Sequence, residues 1–592
     1  MKVIRTDKLD KSSEPESKNC LEHQPWGNNN VIQADMKASD LFIRCLEAEG
    51  VEYIFGLPGE ETNDLMMSIL NSKIKFILVR HEQGAAFMAD IYGRLTQKAG
   101  ICLSTLGPGA TNLTTGVANA NMDRSPVLAI TGQTDSNLLH KESHQNMDVI
   151  TMFKPITKWR WSIQNANSIP EIVRRAFKIS EDEKAGAVHL ELPQDIAKQK
   201  SRIKPIAKSQ EVIRSMPYRN LIKDAAKMIL NSKVPILLVG NGCVRGTASL
   251  HLRKFVKRTG IYSLNTFMAK GVISDKSERH LQTIGIKEAD HALIAMKESD
   301  LVIAVGYDLV EYSPKNWNRS LNKKIIHIDF TPAEVDTYYP PTIEIAADIG
   351  FTIDAILDEL EQEEKNKNLN LKESLYNIDI SNLFKSIKKV VVERIDSFKD
   401  DFSYPIKPEK LISCVRSALG ENDIVISDVG AHKLWIAKIY NTYAPNTCII
   451  PNGFCSMGFA LPASIAAQLV RPDRKIVCMC GDGGFLMNIQ ELETAVRLQL
   501  PIIVIVWCDF DFGMISLKQI NEFGKSAFTK FNNPDFAKLA QSFGAIGYNV
   551  KSSSELPAIL EKAKQSTSIP VIISIDVDYS RNGILLDDNF KI

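Results

Sequence analysis

The sequence predicts an α/β protein built from three doubly wound domains with parallel sheets. Three observations predict it. The chain has 592 residues, too many for one domain at the usual size of about 100–200 residues. Unbroken apolar runs alternate with helix-periodic stretches, the pattern of strands covered on both faces by helices. The alternation falls into three units, the second starting near residue 218 and the third near Ile406, with the charged stretch QEEKNKNLNLKES (362–374) between them.

In the first unit, SDLFIRCLEAEG reads as a helix ending at Gly50. YIFGLPG is a short strand, followed by a helix to about Leu70. KFILVR is a strand and HEQGAAFMADIYGRLT a helix rich in small residues. GICLSTLGPGATN is a strand and then a Gly-rich turn. PVLAITGQ and AVHLELPQDI (187–196) complete the unit. The second unit has strands at VPILLVGNG, DLVIAVGYD and KIIHIDF, and the third at DIVISDVG, RKIVCMCGDG, PIIVIVWCD and PVIISIDVD. The expected division is a flexible extension over 1–35, domains over 36–205 and 215–360, a linker over 361–400 and a last domain over 401–592.

Composition excludes several functions. Lys+Arg minus Asp+Glu is 71 − 70 = +1, so no bulk charge draws the chain to nucleic acid or an anionic membrane. No apolar run approaches the length of a spanning helix. The ten cysteines are scattered without a CxxC pair, which suits ordinary thiols in a reducing compartment better than zinc. Residues 1–35 have no apolar core of a signal peptide, and Asp7, Asp10, Glu14, Glu16 and Glu22 argue against a transit peptide. The cytoplasm is the default. Gly240-x-Gly242-x-x-x-Gly246 follows a strand but departs from the dinucleotide spacing, and Asp329 lies far beyond the usual acidic position. A plain strand-helix turn is the competing reading.

The strongest local signal is Gly481-Asp482-Gly483-Gly484, after the strand KIVCMC and before a helix expected over FLMNIQELETAVRLQ. Glycines there let backbone N–H groups face a phosphate. A carboxylate among them suggests Mg²⁺ bridging to diphosphate oxygens. The next strand ends in Cys508-Asp509-Phe510-Asp511, and parallel neighbours end on one edge, so Asp509 can lie near Asp482. Elsewhere Glu82, in RHEQGAAFMAD, starts a helix among small apolar neighbours. That desolvated setting suits a proton-donating carboxyl; a first-turn Glu favoured by the helix dipole is the bland alternative.

Taken together, RHEQGAAFMAD, TLGPGATNLTTGVANA, ITGQ and GDGG with its downstream acidic loop resemble the thiamine-diphosphate enzymes of the acetolactate synthase group, over roughly residues 36–580. The order of units matches pyrimidine-binding, middle and diphosphate-binding domains. VGYDLVEYSPKNWN, ELETAVRLQLPIIVIVW and HQNMDVITMFKPITKW are similar to the catabolic, pyruvate-only branch, while GATNLTTGVANA and ITGQ look biosynthetic.

The resemblance implies roles. Glu82 would hydrogen-bond the aminopyrimidine N1′ of the cofactor. Met457 would prop the cofactor in its bent form. Asp482 and Asp509 would be metal ligands, with Asp511 giving a backbone carbonyl. Gly430, His432, Gly481, Gly483 and Gly484 would hold the diphosphate, and Pro58 would belong to the cofactor site. Gln133 and Gln145 would sit near the substrate, and Gln83 and Gly84 would line the pyrimidine pocket. The implied reaction condenses two pyruvates to 2-acetolactate and CO₂ through a hydroxyethyl enamine, in a homodimer or homotetramer sharing its sites.

Departures matter. Gly306-Tyr307-Asp308-Leu309-Val310-Glu311 stands where biosynthetic relatives carry the Arg-Phe-Asp-Asp-Arg run tied to FAD, which makes FAD doubtful. Lys518 stands where they carry a Trp that selects 2-ketobutyrate. No site for a regulatory subunit is legible, and nothing separates valine synthesis from acetoin formation. The competing readings are a 2-keto acid decarboxylase, a pyruvate oxidase, another acyl-transferring carboligase, and a non-catalytic subunit of the same fold.

Overall fold

The structure is a computed structural model describing residues 35–208, 214–285, 291–396 and 398–582. The extension expected over 1–35 lies outside the described residues apart from Asp35.

Three six-stranded parallel sheets carry the architecture. The first holds β1 (Tyr53–Gly56), β2 (Lys75–Leu78), β3 (Gly100–Ser104), β4 (Val127–Gln133), β5 (Trp159–Ser162) and β6 (Ala187–Pro193), in the order β2-β1-β3-β4-β6-β5. The second holds β7 (Pro235–Val239), β8 (Tyr262–Asn265), β9 (His280–Thr283), β10 (Leu301–Val305), β11 (Lys324–Asp329) and β12 (Ile343–Ala346), in the order β9-β8-β7-β10-β11-β12. The third holds β13 (Ile424–Ser427), β14 (Cys448–Ile449), β15 (Ile476–Gly481), β16 (Ile503–Cys508), β17 (Ile546–Asn549) and β18 (Val571–Asp576), in the order β14-β13-β15-β16-β18-β17. The first and third sheets thus share one topology. Every residue of β4, β10 and β16 is buried, as strands covered on both faces must be. The strands missed in the sequence are short or polar; Tyr262–Asn265 reads YSLN and gives no apolar run.

The first and third units share one hydrophobic core. The Glu82–Thr96 helix packs on the Ala460–Val470 helix, with Phe87 and Phe459 edge to face at 5.5 Å. The Pro108–Met122 helix lies on another side of the Glu82–Thr96 helix, and small residues permit its close approach: a Cβ on Gly116 would lie 2.5 Å from the Ala86 methyl.

Three expectations need correction. The segment 361–400 is not a linker. The Ile349–Lys367 helix runs through its start, and the Leu371–Ser374 and Ile378–Asp396 helices follow. Leu371, Leu375, Phe384 and Ile387 join the middle-domain core, so the apolar face hidden among the charges decides the structure. The turn in GPGATN is short, because Pro108 already opens the Pro108–Met122 helix. The helix expected over FLMNIQELETAVRLQ breaks at Asn488 into Asp482–Met487 and Glu491–Arg497.

All three units meet at Asp123. Its carboxylate pairs with the buried Arg94 guanidinium, which also reaches Asp90 at 2.8 Å. It accepts the Gly453 N–H at 2.5 Å, and its carbonyl accepts from the Asn241 amide at 3.2 Å. Removing the Asp123 carboxylate leaves Arg94 paired with Asp90 but leaves the part-buried Gly453 N–H without its acceptor, a cost of about 1–3 kcal/mol. Asp123→Ala should therefore lower the thermal midpoint and open the domain contacts first, and Asp123→Asn should do so less; calorimetry on the full chain reads both.

Candidate active site

In an open parallel sheet, ligands bind beyond the C-terminal strand ends where the strand order reverses. In the third sheet that point lies between β13 and β15. A cleft of about 330 Å³ opens there. It is lined by Gly430, His432, Met457, Gly481, Asp482, Gly483, Gly484, Asp509 and Asp511, nine of the residues expected at the site.

Register explains why the two acidic loops meet. Gly481 on β15 is opposite Trp507 on β16, so both chains leave the sheet at one level. The buried Asp482 carboxylate closes the gap. One oxygen accepts the Gly483 N–H at 2.9 Å. The other accepts N–H groups of Asp509 and Phe510 at 3.1 and 2.9 Å and the Asn533 amide at 2.7 Å. Phe510 lies at φ +57, a left-handed conformation costly for a bulky residue, and it sits between two of the expected ligands.

These groups fit a divalent cation. Burial, then the neighbouring Asp482 and Asp511, pushes the Asp509 carboxyl up to about 7. Asp511 Oδ1 and Asn533 Oδ1 are buried without a partner. Among the described residues no three His, Cys, Asp or Glu side chains form a metal cage. A Mg²⁺ that keeps phosphate oxygens and waters does not need one. Asn533 escaped the sequence reading; its only signal was its place after the acidic loop.

Asp428 holds the cleft's other loops and also escaped notice. It is buried, and burial pushes its carboxyl up to about 7. It accepts the N–H of Val429 at 2.7 Å and of Gly458 at 3.0 Å, fixing the turns that carry Gly430 and Met457. A Cβ on Gly484 would lie 2.9 Å from its carboxylate. Burial lowers His432 to about 3, so its ring is neutral at neutral pH, and its Nε2 has no partner.

The remaining expected residues do not line this cleft. They gather at the matching edge of the first sheet. Pro58 is exposed in the loop after β1. Glu82 is buried and accepts the Asn112 amide at 2.9 Å. Gln145 is exposed at φ +57, its backbone against Gly107. Gln133 is buried, with its amide donating to Glu191 at 3.0 Å and its oxygen accepting the Thr134 N–H. Its polar atoms are turned inward.

Glu491 connects the two groups. This fully buried residue accepts the N–H groups of Arg80 and His81, each at 3.0 Å, and the Thr494 hydroxyl at 2.8 Å. It therefore clamps the turn immediately before Glu82. A Cβ on Gly84 would lie 2.7 Å from it, so Gly84 makes room for Glu491.

The reversal point of the second sheet lies between β7 and β10, and buried side chains of the chain itself pair with one another there. The Asn241 N–H, after β7, donates to Glu311 at 2.9 Å, and the Thr266 hydroxyl does so at 2.6 Å. Asp308 pairs with Arg124 at 2.6 Å. Tyr307 is buried against Trp317 and Tyr339. A Cβ on Gly242 would lie 3.3 Å from an Asp329 oxygen, so that distant residue is a neighbour in space.

Two outcomes follow. Glu491→Ala should free the 80–82 turn and lower kcat roughly 10-fold or more, while Glu491→Gln, which keeps the accepting oxygen, restores most of it; steady-state kinetics distinguish them. Burial pushes Glu311 up to about 8, against about 4.3 in an unfolded chain. The stability this group contributes is complete below about pH 4 and is lost as pH rises through 8. Glu311→Gln should flatten that part of the pH dependence, read as melting temperatures between pH 5 and 9.

Comparison with known proteins agrees with the geometry. Residues 36–152 match the N-terminal TPP binding domain of thiamine pyrophosphate enzymes, 222–356 the central domain and 428–575 the C-terminal TPP binding domain. An acetolactate synthase of Bacillus subtilis is 34% identical over 93% of this chain and 95% of its own. A probable acetolactate synthase large subunit of Methanococcus aeolicus is 33% identical over 92% of each. A catabolic acetolactate synthase of Raoultella terrigena is 32% identical over 93% of this chain and 96% of its own. With three matched domains in order and near full-length relatives, the chain belongs to the acetolactate synthase family of thiamine pyrophosphate enzymes.

Proposed function

We propose that this enzyme joins two pyruvates into 2-acetolactate with release of CO₂, using thiamine diphosphate and Mg²⁺ and no FAD. The observation that carries the cofactor reading is the cleft between β13 and β15, with its paired Asp482 and Asp509 and unpartnered Asp511 and Asn533 oxygens. When bound, thiamine diphosphate supplies the carbanion chemistry that decarboxylates one 2-keto acid and adds its two-carbon remainder to another.

The chain's residues do the rest. Asp482, Asp509 and the Asp511 backbone would hold the metal. Backbone N–H groups at Gly430 and Gly484, with neutral His432, would hold the diphosphate beside Gly483, whose own N–H goes to Asp482. Met457 would set the cofactor's shape from the cleft wall. Glu82, kept in place by Asn112 and by the turn on Glu491, would exchange a proton with the aminopyrimidine nitrogen. Gln145 would meet the substrate, and Gln133 would shape the pocket wall through Glu191.

Glu82 and the metal cleft do not share a pocket within one chain. A homodimer in which each cleft receives the other subunit's Glu82 answers this. The apolar side chains exposed beside the cleft, Phe510, Phe512, Ile515 and Phe523, are the surface such a partner would cover. The run Gly306-Tyr307-Asp308-Leu309-Val310-Glu311, in place of the Arg-Phe-Asp-Asp-Arg run tied to FAD, is what makes FAD doubtful. The described cysteines are free thiols, which agrees with a cytoplasmic enzyme; no helix of the described residues is long and apolar enough to cross a membrane.

The test supplies pyruvate, thiamine diphosphate and Mg²⁺ without FAD and measures acetolactate, acetaldehyde and oxygen uptake together. Acetolactate should dominate. Acetaldehyde would make the enzyme a decarboxylase, and oxygen uptake an oxidase. Glu82→Gln should bind cofactor normally yet lose turnover by about 10²-fold or more; unchanged turnover would refute the proton role.

A further inference from the structure

One wall of the cleft comes from beyond the strands that carry the expected ligands. After β18 the chain crosses the sheet edge instead of leaving it. The Val577 N–H donates to the Cys508 carbonyl and the Asp578 N–H to the Ile406 carbonyl, both at 2.9 Å. Asn582 donates back to the Tyr579 carbonyl at 2.9 Å, and its side chain accepts the Trp435 indole N–H at 2.7 Å. These bonds pin a short segment across the mouth of β16.

The segment brings Tyr579 to the cleft, where it lines the same space as Asp482, Asp509 and Gly483. Its ring stacks on Trp507, with centroids 6.3 Å apart and planes 15° apart. Trp507 in turn lies 6.0 Å from the His432 ring. The Tyr579 hydroxyl has no hydrogen-bond partner among the described residues, and His432 Nε2 and Trp507 Nε1 are buried without one. A phenol ordinarily titrates at about 10, so at neutral pH the hydroxyl keeps its proton and is a donor. A donor fixed beside backbone N–H groups and a metal-type carboxylate pair suits an anionic oxygen.

We propose that Tyr579 is a binding residue for the cofactor's diphosphate, its hydroxyl donating to a diphosphate oxygen. This rests on the cofactor reading above but adds a residue to it. The matched C-terminal domain ends at 575, four positions short of Tyr579.

The test uses Tyr579→Phe in the full chain, which keeps the ring and its stacking. Calorimetric titration with thiamine diphosphate, and separately with inorganic diphosphate, each at fixed Mg²⁺, should give dissociation constants about tenfold weaker for both. The melting temperature without ligand should not change. Constants within twofold of the unmodified chain overturn the role of Tyr579 and leave the cofactor reading standing. An unmodified chain that binds neither overturns both. A second measurement avoids the variant's folding: inorganic diphosphate with Mg²⁺ should shift a tyrosine band in the ultraviolet difference spectrum of the unmodified chain. No shift overturns the proposal.

Discussion

The cleft depends on one carboxylate. Asp482 gathers three backbone N–H groups and the Asn533 amide from two neighbouring strand ends. Without it the loop after β16 has no reason to turn back over β15, and Asp509 and Asp511 would not face the same space. The carboxylate is buried and has no cationic side chain beside it in the hydrogen-bond pattern. Backbone dipoles stabilise it, as they would an anion at a helix start. A cation added there would meet the carboxylates of Asp482 and Asp509, the latter raised by burial and then by the neighbouring Asp482 and Asp511.

The same device recurs. Asp428 ties the Gly430 and Gly458 turns together. Glu491 ties the turn before Glu82 to the third unit. Glu311 takes the N–H after β7, and Asp123 takes the Gly453 N–H. Each is a buried carboxylate spent on backbone donors at a strand-helix turn. Such turns have N–H groups that no helix or strand bond can satisfy. The first and third units are therefore held by polar clamps at their edges and by apolar helices at their centre. That combination fixes the loops that a cofactor must meet more rigidly than packing alone would.

Much of this was legible. Apolar runs without alternation gave the parallel sheets, because a strand buried on both faces has no polar side to show. Asp482 and Asp509 were readable as a pair because parallel neighbours end together. Nine expected residues line one cleft for that reason. The clamps were not legible. Glu491 lies in ELETAVR and Asp428 in SDVG, where each reads as an ordinary helix or turn residue. The helical 361–396 segment was hidden by its charges, since a composition average cannot see one apolar face. Tyr579 was hidden because it follows the last strand, in a stretch without motif or periodicity.

The sequence by itself determined the α/β class, the order of the three units, and the family to which the GDGG and RHEQGA motifs belong. These follow from local patterns, since periodicity and glycine placement act within a few residues. Only the tertiary structure decided which polar groups are satisfied by the chain and which are left facing a ligand. It placed Gln133 against Glu191, set Glu311 on the Asn241 N–H in the second unit, and left Asp511, Asn533 and His432 with unpartnered atoms. The physical reason is that burial and hydrogen-bond satisfaction depend on residues hundreds of positions apart, such as Arg80 and Glu491, meeting in space.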